Sequence, residues 1–139
     1  MGFLKPFLSF NDFLGFISIA DAVLDTPYFC GGTTSLEMFS IGCPIVTWPG
    51  GRPASRFTYA YYKKMGVMDL VCEDSDQYIQ LAVRLANDAD WKRQIREKIL
   101  ERNGSLYNNP DSVRELEQFL LDISNHFLPI FTRLSLKTL

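Results

Sequence analysis

Side chains that commonly bind zinc are scarce in this sequence. It contains one histidine, His126, and three cysteines, Cys30, Cys43 and Cys72. The cysteines are odd in number and widely spaced, and no Cys-x-x-Cys pair occurs, which excludes a disulfide framework and a zinc site. This pattern favours free thiols in a reducing, cytoplasmic setting, and no metal or cofactor is expected.

A strong charge of one sign is also absent. Fourteen basic and sixteen acidic residues give a net charge of −2, so there is no basic stripe of the kind that nucleic acids require. No apolar run approaches the roughly 20 residues of a membrane span. Residues 1–16 carry a single lysine and no small-residue cleavage pattern, which is unlike a signal peptide. Neither a nucleic acid nor a membrane is therefore expected as a partner.

What the sequence does contain is the pattern of an α/β domain. Its 139 residues, 47% of them hydrophobic, can bury one core, although the chain is small for an enzyme with two substrates. Short apolar runs alternate with amphipathic stretches, which predicts a Rossmann-like parallel sheet flanked by helices. We expect this domain to span residues 1–127 and a tail without clear periodicity to span residues 128–139.

The elements can be predicted from periodicity, helix caps and turn residues. A first helix, capped by Ser9 or Asn11, runs to about Ile19 and buries Phe10, Phe13, Leu14 and Ile17. In chain order there follow a buried strand at 21–25, a helix capped by Thr33 or Thr34 and ended by Gly42, a strand at 45–48, a helix at 54–65 ended by Gly66, a weaker strand at 68–72, and helices at 75–87, 89–102 and 111–127 capped by Ser75, Asp88 and Asp111.

A phosphate-binding turn is predicted where the first strand leads into its helix. The Gly31-Gly32 pair requires either a positive φ or a close approach of the backbone to another group, and Thr33 and Thr34 follow it. A helix N-terminus carries about half a positive charge, and its free N–H groups attract anions. Glu37 lies one turn further on, where a carboxylate can accept hydrogen bonds from a ribose. The simpler alternative is that Thr33 only caps the helix and Glu37 only complements its dipole.

A second glycine loop, Pro49-Gly50-Gly51-Arg52-Pro53, follows the second predicted strand. Arg52 and Arg56 flank this loop, and an arginine near a diphosphate can bind it through two parallel hydrogen bonds. Arginines in loops are also commonly solvated or paired with other protein groups, so a purely structural role is the alternative.

Short motifs follow one another in order between residues 20 and 81. They are Ala20-Asp21-x-x-Leu24-Asp25-Thr26-Pro27, Gly31-Gly32-Thr33-Thr34-Ser35-Leu36-Glu37, Gly42-x-Pro44-x-Val46-Thr47-x-Pro49-Gly50 and Ala54-Ser55-Arg56, followed by Met65-Gly66, Asp69-Leu70 and Asp76-x-Tyr78-x-x-Leu81. In this order and with these gaps, the motifs resemble the C-terminal catalytic region of the O-linked N-acetylglucosamine transferase family and its bacterial relatives.

The resemblance implies a two-domain glycosyltransferase B fold, whose C-terminal Rossmann-like domain binds a UDP-sugar. It also implies metal-independent transfer of a sugar, N-acetylglucosamine, to protein hydroxyls. Gly31, Gly32, Thr33 and Thr34 would then hold the diphosphate and Glu37 the ribose. The Pro49-Gly50 loop, with Arg56 beside it, would close near the donor. No catalytic residue is identified.

Two departures from the family pattern bear on these expectations. Gly32 stands where the sugar-transferring members carry histidine, and the family's donor-contacting lysine lies upstream of the matched motifs. The resemblance therefore implies a half-domain that is incomplete at its N-terminus. Its N-terminal transferase domain or a tetratricopeptide segment would be supplied by a longer protein or by another chain.

Three alternatives remain open at this point. The chain could be a module that binds a nucleotide sugar without chemistry, a relative of nucleotide-sugar epimerases, or a truncated remnant that is inactive alone. Thr33-Thr34 and the Pro49-Gly50 loop speak against an epimerase.

Overall fold

The computed structural model describes residues 8–135, and the side chains of residues 8–126. The chain divides into two units, one up to Tyr107 and one from Asn108 onward. In chain order the elements are α1 (Phe10–Ser18), β1 (Val23–Leu24), α2 (Thr33–Ser40), β2 (Ile45–Val46), a 3₁₀ turn (Pro53–Ser55), α3 (Phe57–Met65), α4 (Ser75–Asn87), α5 (Ala89–Arg102), a second 3₁₀ turn (Asn103–Leu106) and α6 (Pro110–Ser135).

The sheet is parallel, as the alternating pattern predicts. Val23 pairs with Ile45 and Leu24 with Val46. Thr47 extends the sheet through one parallel bridge to Val71. The peptide groups of Thr47 form this bridge, because its N–H donates to the Leu70 carbonyl at 3.0 Å and its carbonyl accepts from the Cys72 N–H at 2.8 Å. The α/β fold class is therefore confirmed.

The strands are shorter than the sequence predicts. The predicted strand at 68–72 is reduced to the single bridge at Val71, because the Val71 N–H donates back to the Met68 carbonyl in a turn. The strand at 21–25 was expected to be buried, yet the Leu24 side chain is 52% exposed. Within the described residues β1 pairs only with β2, and this pairing extends over two residues.

The core of the first unit lies between this sheet and the helices around it. Phe39 of α2 meets the Tyr62 ring of α3 edge to face, with the ring centroids 4.8 Å apart. Ile95 and Ile99 of α5 are buried in the same core. Other side chains that are fully buried there are Ile45, Val46, Val67, Leu70 and Leu85.

Two of the predicted N-terminal helix caps are confirmed. Ser9 caps α1 by accepting from the Asp12 N–H at 3.2 Å, and Asp88 caps α5 by accepting from the Trp91 N–H at 3.0 Å. The predicted buried face of α1 is only partly correct, because Phe10 is exposed and Ile17 alone is fully buried.

Three predicted caps are wrong. Gly32 occupies the N-cap position of α2, and Thr33 is already the first helical residue. Asp74 rather than Ser75 caps α4, since its carboxylate accepts from the Gln77 N–H at 2.8 Å. Helix α6 begins at Pro110, and Asn109 Oδ1 accepts from the Asp111 N–H. At α2 and α4, the residue before the predicted cap occupies the cap position. Helix α6 begins one residue earlier than predicted.

Helix ends follow the glycines. Gly42 and Gly66 have φ values of +73° and +69°, the left-handed conformation that favours glycine at a helix C-terminus. The helix predicted at 54–65 instead consists of the 3₁₀ turn and α3, separated at Arg56, whose φ is −128°.

The second unit contains α6. This helix continues to Ser135, so its predicted end at residue 127 is wrong. Residues 128–139 contain no glycine that would end a helix in the left-handed conformation. Among residues 8–135, no helix combines the length and apolarity needed to cross a bilayer.

Candidate functional site

A buried carboxylate organises the carboxyl edge of the sheet. Asp25 follows β1 and is 6% exposed. Its Oδ1 accepts from the Gly31 N–H at 2.9 Å, and its Oδ2 accepts from the Thr47 hydroxyl at 2.9 Å. The Tyr78 hydroxyl of α4 donates to the Asp25 carbonyl at 2.8 Å. Asp25 thereby fixes the glycine turn to Thr47, directly after β2, a role that was not predicted from the sequence.

Close packing requires glycine at position 31. A Cβ atom there would overlap the Ser35 hydroxyl and would lie 3.1 Å from Thr34 Oγ1. The Ser35 hydroxyl is buried and lies 3.0 Å from the Thr58 hydroxyl of α3. Of the two predicted reasons for the glycine pair, close approach applies, since φ is not positive at either glycine. Gly32 is different, because a Cβ atom there would meet nothing within 4 Å.

This difference predicts that an alanine lowers stability more at position 31 than at position 32. Gly31→Ala should lower the free energy of unfolding by about 2 kcal/mol, because the added methyl group displaces Ser35 from Thr58. Gly32→Ala should cost less than about 1 kcal/mol, since it replaces an N-cap glycine in open space. Urea denaturation of both variants measures the difference, and equal costs would show that Gly31 is not tightly packed.

The start of α2 presents free amides beside this turn. The first N–H groups of a helix have no acceptor within the helix, and no side chain caps Gly32. The amides of Ser35 and Leu36 donate to the Gly32 carbonyl. No described residue accepts a hydrogen bond from the amides of Thr33 and Thr34, and both residues are exposed. These two amides and the positive end of the helix dipole are thus accessible to an anion.

Glu37 lies on the same side of α2 as these threonines. Residues three and four positions apart are neighbours on a helix surface, which places Glu37 next to Thr33 and Thr34. Its side chain is half-buried. None of the ion pairs found in the described part of the chain involves its carboxylate.

The second glycine loop is held against the first. A Cβ atom at Gly50 would lie 2.7 Å from the Ser55 hydroxyl and 3.2 Å from the Pro27 carbonyl oxygen. The Cys30 N–H donates to the Ala54 carbonyl at 2.9 Å, and the Phe57 N–H donates to Cys30 Sγ. These contacts join the loop after β1 to the loop after β2.

Arg56 supports the second loop from within. Its Nη1 donates to the Gly50 carbonyl at 2.8 Å, and its guanidinium lies over the Tyr59 ring at 4.7 Å. Of the two roles expected for this side chain, donor binding and structural support, these contacts serve the structural one.

Two open cavities lie at the carboxyl edge of the sheet. One, of about 540 Å³, is lined by Pro27, Tyr28, Trp48, Gly50, Gly51 and Arg52. The other, of about 590 Å³, is lined by Pro49, Arg56, Tyr59, Met68, Cys72 and Glu73. Neither includes residues 31–37, so the structure places the predicted site residues at three neighbouring positions, namely the start of α2 and the two cavities.

Burial keeps two thiols and one tyrosine hydroxyl of this unit protonated at neutral pH. Burial raises the pKa of the Cys72 thiol to about 11, and burial likewise raises the pKa of Cys43 to about 11. Burial also raises the pKa of the Tyr78 hydroxyl, and the nearby Asp25 charge adds to the effect. The two thiols are therefore weak nucleophiles, and Tyr78 remains a hydrogen-bond donor.

Comparison with known proteins gives consistent results. The model of the family described as glycosyl transferase family 41 matches residues 14–115. The chain is 33% identical over 104 residues to a UDP-N-acetylglucosamine–peptide N-acetylglucosaminyltransferase of Caenorhabditis elegans, covering 73% of the chain and 9% of that relative. It is 35% identical over 94 residues to the probable transferase SPINDLY of Arabidopsis thaliana, covering 67% of the chain and 10% of that relative. The chain therefore spans about a tenth of the length of these curated relatives.

A solved structure agrees with the sequence relatives. A mutant of the O-GlcNAc transferase of Thermobaculum terrenum superposes with a TM-score of 0.72 at 31% sequence identity. The match covers 84% of this chain and 23% of that one.

Proposed function

Since the chain belongs to glycosyl transferase family 41, we propose that it forms the donor-binding part of a glycosyltransferase. The donor is a UDP-sugar, and the reaction transfers N-acetylglucosamine to hydroxyl groups of a protein acceptor. The acceptor protein and an N-terminal transferase domain are the proposed partners. The observation that carries the proposal is that no side chain caps the start of α2, where the exposed residues Thr33 and Thr34 have amides without an acceptor among the described residues.

The diphosphate binds at the start of α2. Its charge is stabilised by the helix dipole and by the N–H groups of Thr33 and Thr34, and the hydroxyl groups of both threonines add further donors. The backbone there is already ordered before the donor binds, because Asp25 holds the Gly31 N–H and the Ser35 hydroxyl contacts Thr58. Little conformational entropy is therefore lost on binding.

The ribose binds beside Glu37. A carboxylate can accept hydrogen bonds from two neighbouring hydroxyl groups, and such bonds to a charged acceptor are stronger than those between neutral groups. Glu37 stands within one helical turn of the threonines, the separation at which the ribose follows the diphosphate in the donor. In this proposal Arg56 acts by holding the Gly50 carbonyl, and thus the shape of the second loop.

The distinction between phosphate and ribose contacts can be measured by calorimetric titration with UDP and with pyrophosphate. UDP should bind the chain with micromolar to millimolar affinity, roughly −8 to −4 kcal/mol. Glu37→Gln should weaken UDP about tenfold, because the ribose loses a charged acceptor. Pyrophosphate has no ribose, so Glu37→Gln should leave its affinity unchanged or slightly increase it by removing a nearby negative charge.

Glu101→Gln is a suitable control, because it removes the same charge from an exposed position on α5. It should change neither affinity. Equal weakening of UDP and pyrophosphate by Glu37→Gln would remove the ribose assignment. The absence of binding by either ligand would contradict the whole proposal.

A further inference from the structure

Two side chains from the end of the first unit hold α2 by its carbonyl groups. The Tyr107 hydroxyl donates to the Leu36 carbonyl at 2.6 Å, and Asn103 Nδ2 donates to the Phe39 carbonyl at 2.9 Å. These bonds join residues that are 71 and 64 positions apart in the chain. Neither bond has a part in the diphosphate and ribose contacts described above.

The bond from Tyr107 falls on the peptide group that leads into Glu37. The Leu36 carbonyl and the Glu37 N–H belong to one peptide group, whose atoms lie in a plane that ends at the Glu37 Cα atom. A hydrogen bond that holds the oxygen of this group therefore restrains the Cα atom from which the Glu37 side chain projects. The bond from Asn103 differs in this respect, because the Phe39 carbonyl leads into Ser40, a residue with no proposed donor contact.

The position of Glu37 depends on its backbone. Its carbonyl accepts from the Ser40 hydroxyl at 2.6 Å, but no hydrogen bond or ion pair within the described residues involves its carboxylate. A side chain without partners is placed only by its rotamers and by the backbone that carries it. The restraint on the Leu36–Glu37 peptide group therefore determines where the carboxylate can reach.

Tyr107 is itself well fixed. The preceding residue, Leu106, packs against the core, and the Tyr107 N–H donates to the Gly104 carbonyl at 3.3 Å. The Tyr107 side chain is half-buried, and burial raises the pKa of its hydroxyl, which remains a donor at neutral pH. The hydroxyl is thus held in place by the fold before any ligand binds.

We infer that Tyr107 is a positioning residue for the nucleotide donor. Its hydroxyl sets the backbone at Glu37 and thereby places the carboxylate for the hydroxyl groups of the ribose. The inference rests on the proposed function, and it concerns only the ribose, because the amides of Thr33 and Thr34 lie at the other end of the helical turn.

Tyr107→Phe tests this role, because it removes the hydroxyl and retains the ring. Calorimetric titrations of the full chain with UDP and with pyrophosphate give the two affinities. We expect UDP to bind about threefold more weakly, since the carboxylate is retained but less well placed, and pyrophosphate to bind as it does to wild type. In the Glu37→Gln chain, Tyr107→Phe should cause no further loss of UDP affinity, because Tyr107 acts through the carboxylate.

Asn103→Ala is the matched control. It also removes a hydrogen bond to an α2 carbonyl, but not the bond at the peptide group of Glu37. It should lower the free energy of unfolding in urea and leave both affinities unchanged. Tyr61→Phe, which removes a tyrosine hydroxyl elsewhere in the same unit, should likewise leave both affinities unchanged.

The inference is overturned if Tyr107→Phe leaves UDP binding unchanged, or if it weakens UDP and pyrophosphate equally. It is also overturned if the loss persists in the Glu37→Gln chain, or if Asn103→Ala weakens UDP as much, since either result would show a general effect on α2. Failure of the wild-type chain to bind UDP is a different result, which would contradict the proposed function itself.

Discussion

Replacing Asp25 with alanine is expected to lower the free energy of unfolding by about 3 kcal/mol and to abolish UDP binding. The substitution leaves the Gly31 N–H and the buried Thr47 hydroxyl without their acceptors. A buried donor that loses its partner costs about 1–3 kcal/mol. Because Asp25 also sets the position of the glycine turn, its loss frees the backbone before α2. Urea denaturation and calorimetric titration with UDP measure the two effects.

Two further variants separate the contributions of Asp25. Asp25→Asn retains an acceptor for Gly31 and can still pair with the Thr47 hydroxyl, so it should recover most of the UDP affinity. Thr47→Val removes only the bond to Oδ2 and should cost about 1–2 kcal/mol without moving Gly31. If Asp25→Ala unfolds at the wild-type urea concentration, the carboxylate does not hold the turn.

Tyr62→Phe is expected to lower the free energy of unfolding by about 2–3 kcal/mol. The Tyr62 side chain is fully buried, and its hydroxyl accepts from the Ile45 N–H at 2.9 Å and donates to the Ile45 carbonyl at 2.8 Å. It therefore occupies the place of a neighbouring strand beside Ile45. Phenylalanine leaves both backbone groups of Ile45 buried without a partner.

Tyr61→Phe provides a control on the same helix, because Tyr61 is only half-buried and no hydrogen bond of its hydroxyl appears among the described residues. This variant should cost less than about 0.5 kcal/mol. Burial raises the pKa of Tyr62 above its ordinary value, so its hydroxyl stays protonated. The effect of Tyr62→Phe should accordingly be the same at pH 6 and pH 9. A cost as small as that of Tyr61→Phe would exclude the role of the hydroxyl as a substitute for a strand.

Local signals predicted the helices well and the strands less well. The ranges 75–87 and 89–102 were predicted as they are observed, because Asp88 both follows one helix and caps the next. Gly42 and Gly66 end their helices because they can adopt a positive φ, a property of the residue itself. Strand length depends instead on pairing with a distant segment, and neither the turn before Val71 nor the two-residue β1 is specified by its own residues.

The same distinction applies to the candidate site. The sequence of Gly31 to Glu37 is local, so a glycine turn followed by a helix start was predictable, although the capping residue was not. The bonds from Asp25 to Thr47 and from Ser35 to Thr58 join residues that are 22 and 23 positions apart. Periodicity and turn residues carry no information about such pairs. For this reason the residues proposed to contact the donor can be predicted from local sequence, whereas the residues that hold them in place cannot.

The central claim is that the amides of Thr33 and Thr34 bind the diphosphate. The most direct measurement is a titration of ¹⁵N-labelled chain with UDP, followed by the amide resonances in two-dimensional NMR spectra. We expect the largest shifts at Gly32, Thr33 and Thr34, with the same residues responding to pyrophosphate. Shifts confined to other parts of the chain, or no shifts at millimolar UDP, would contradict the account.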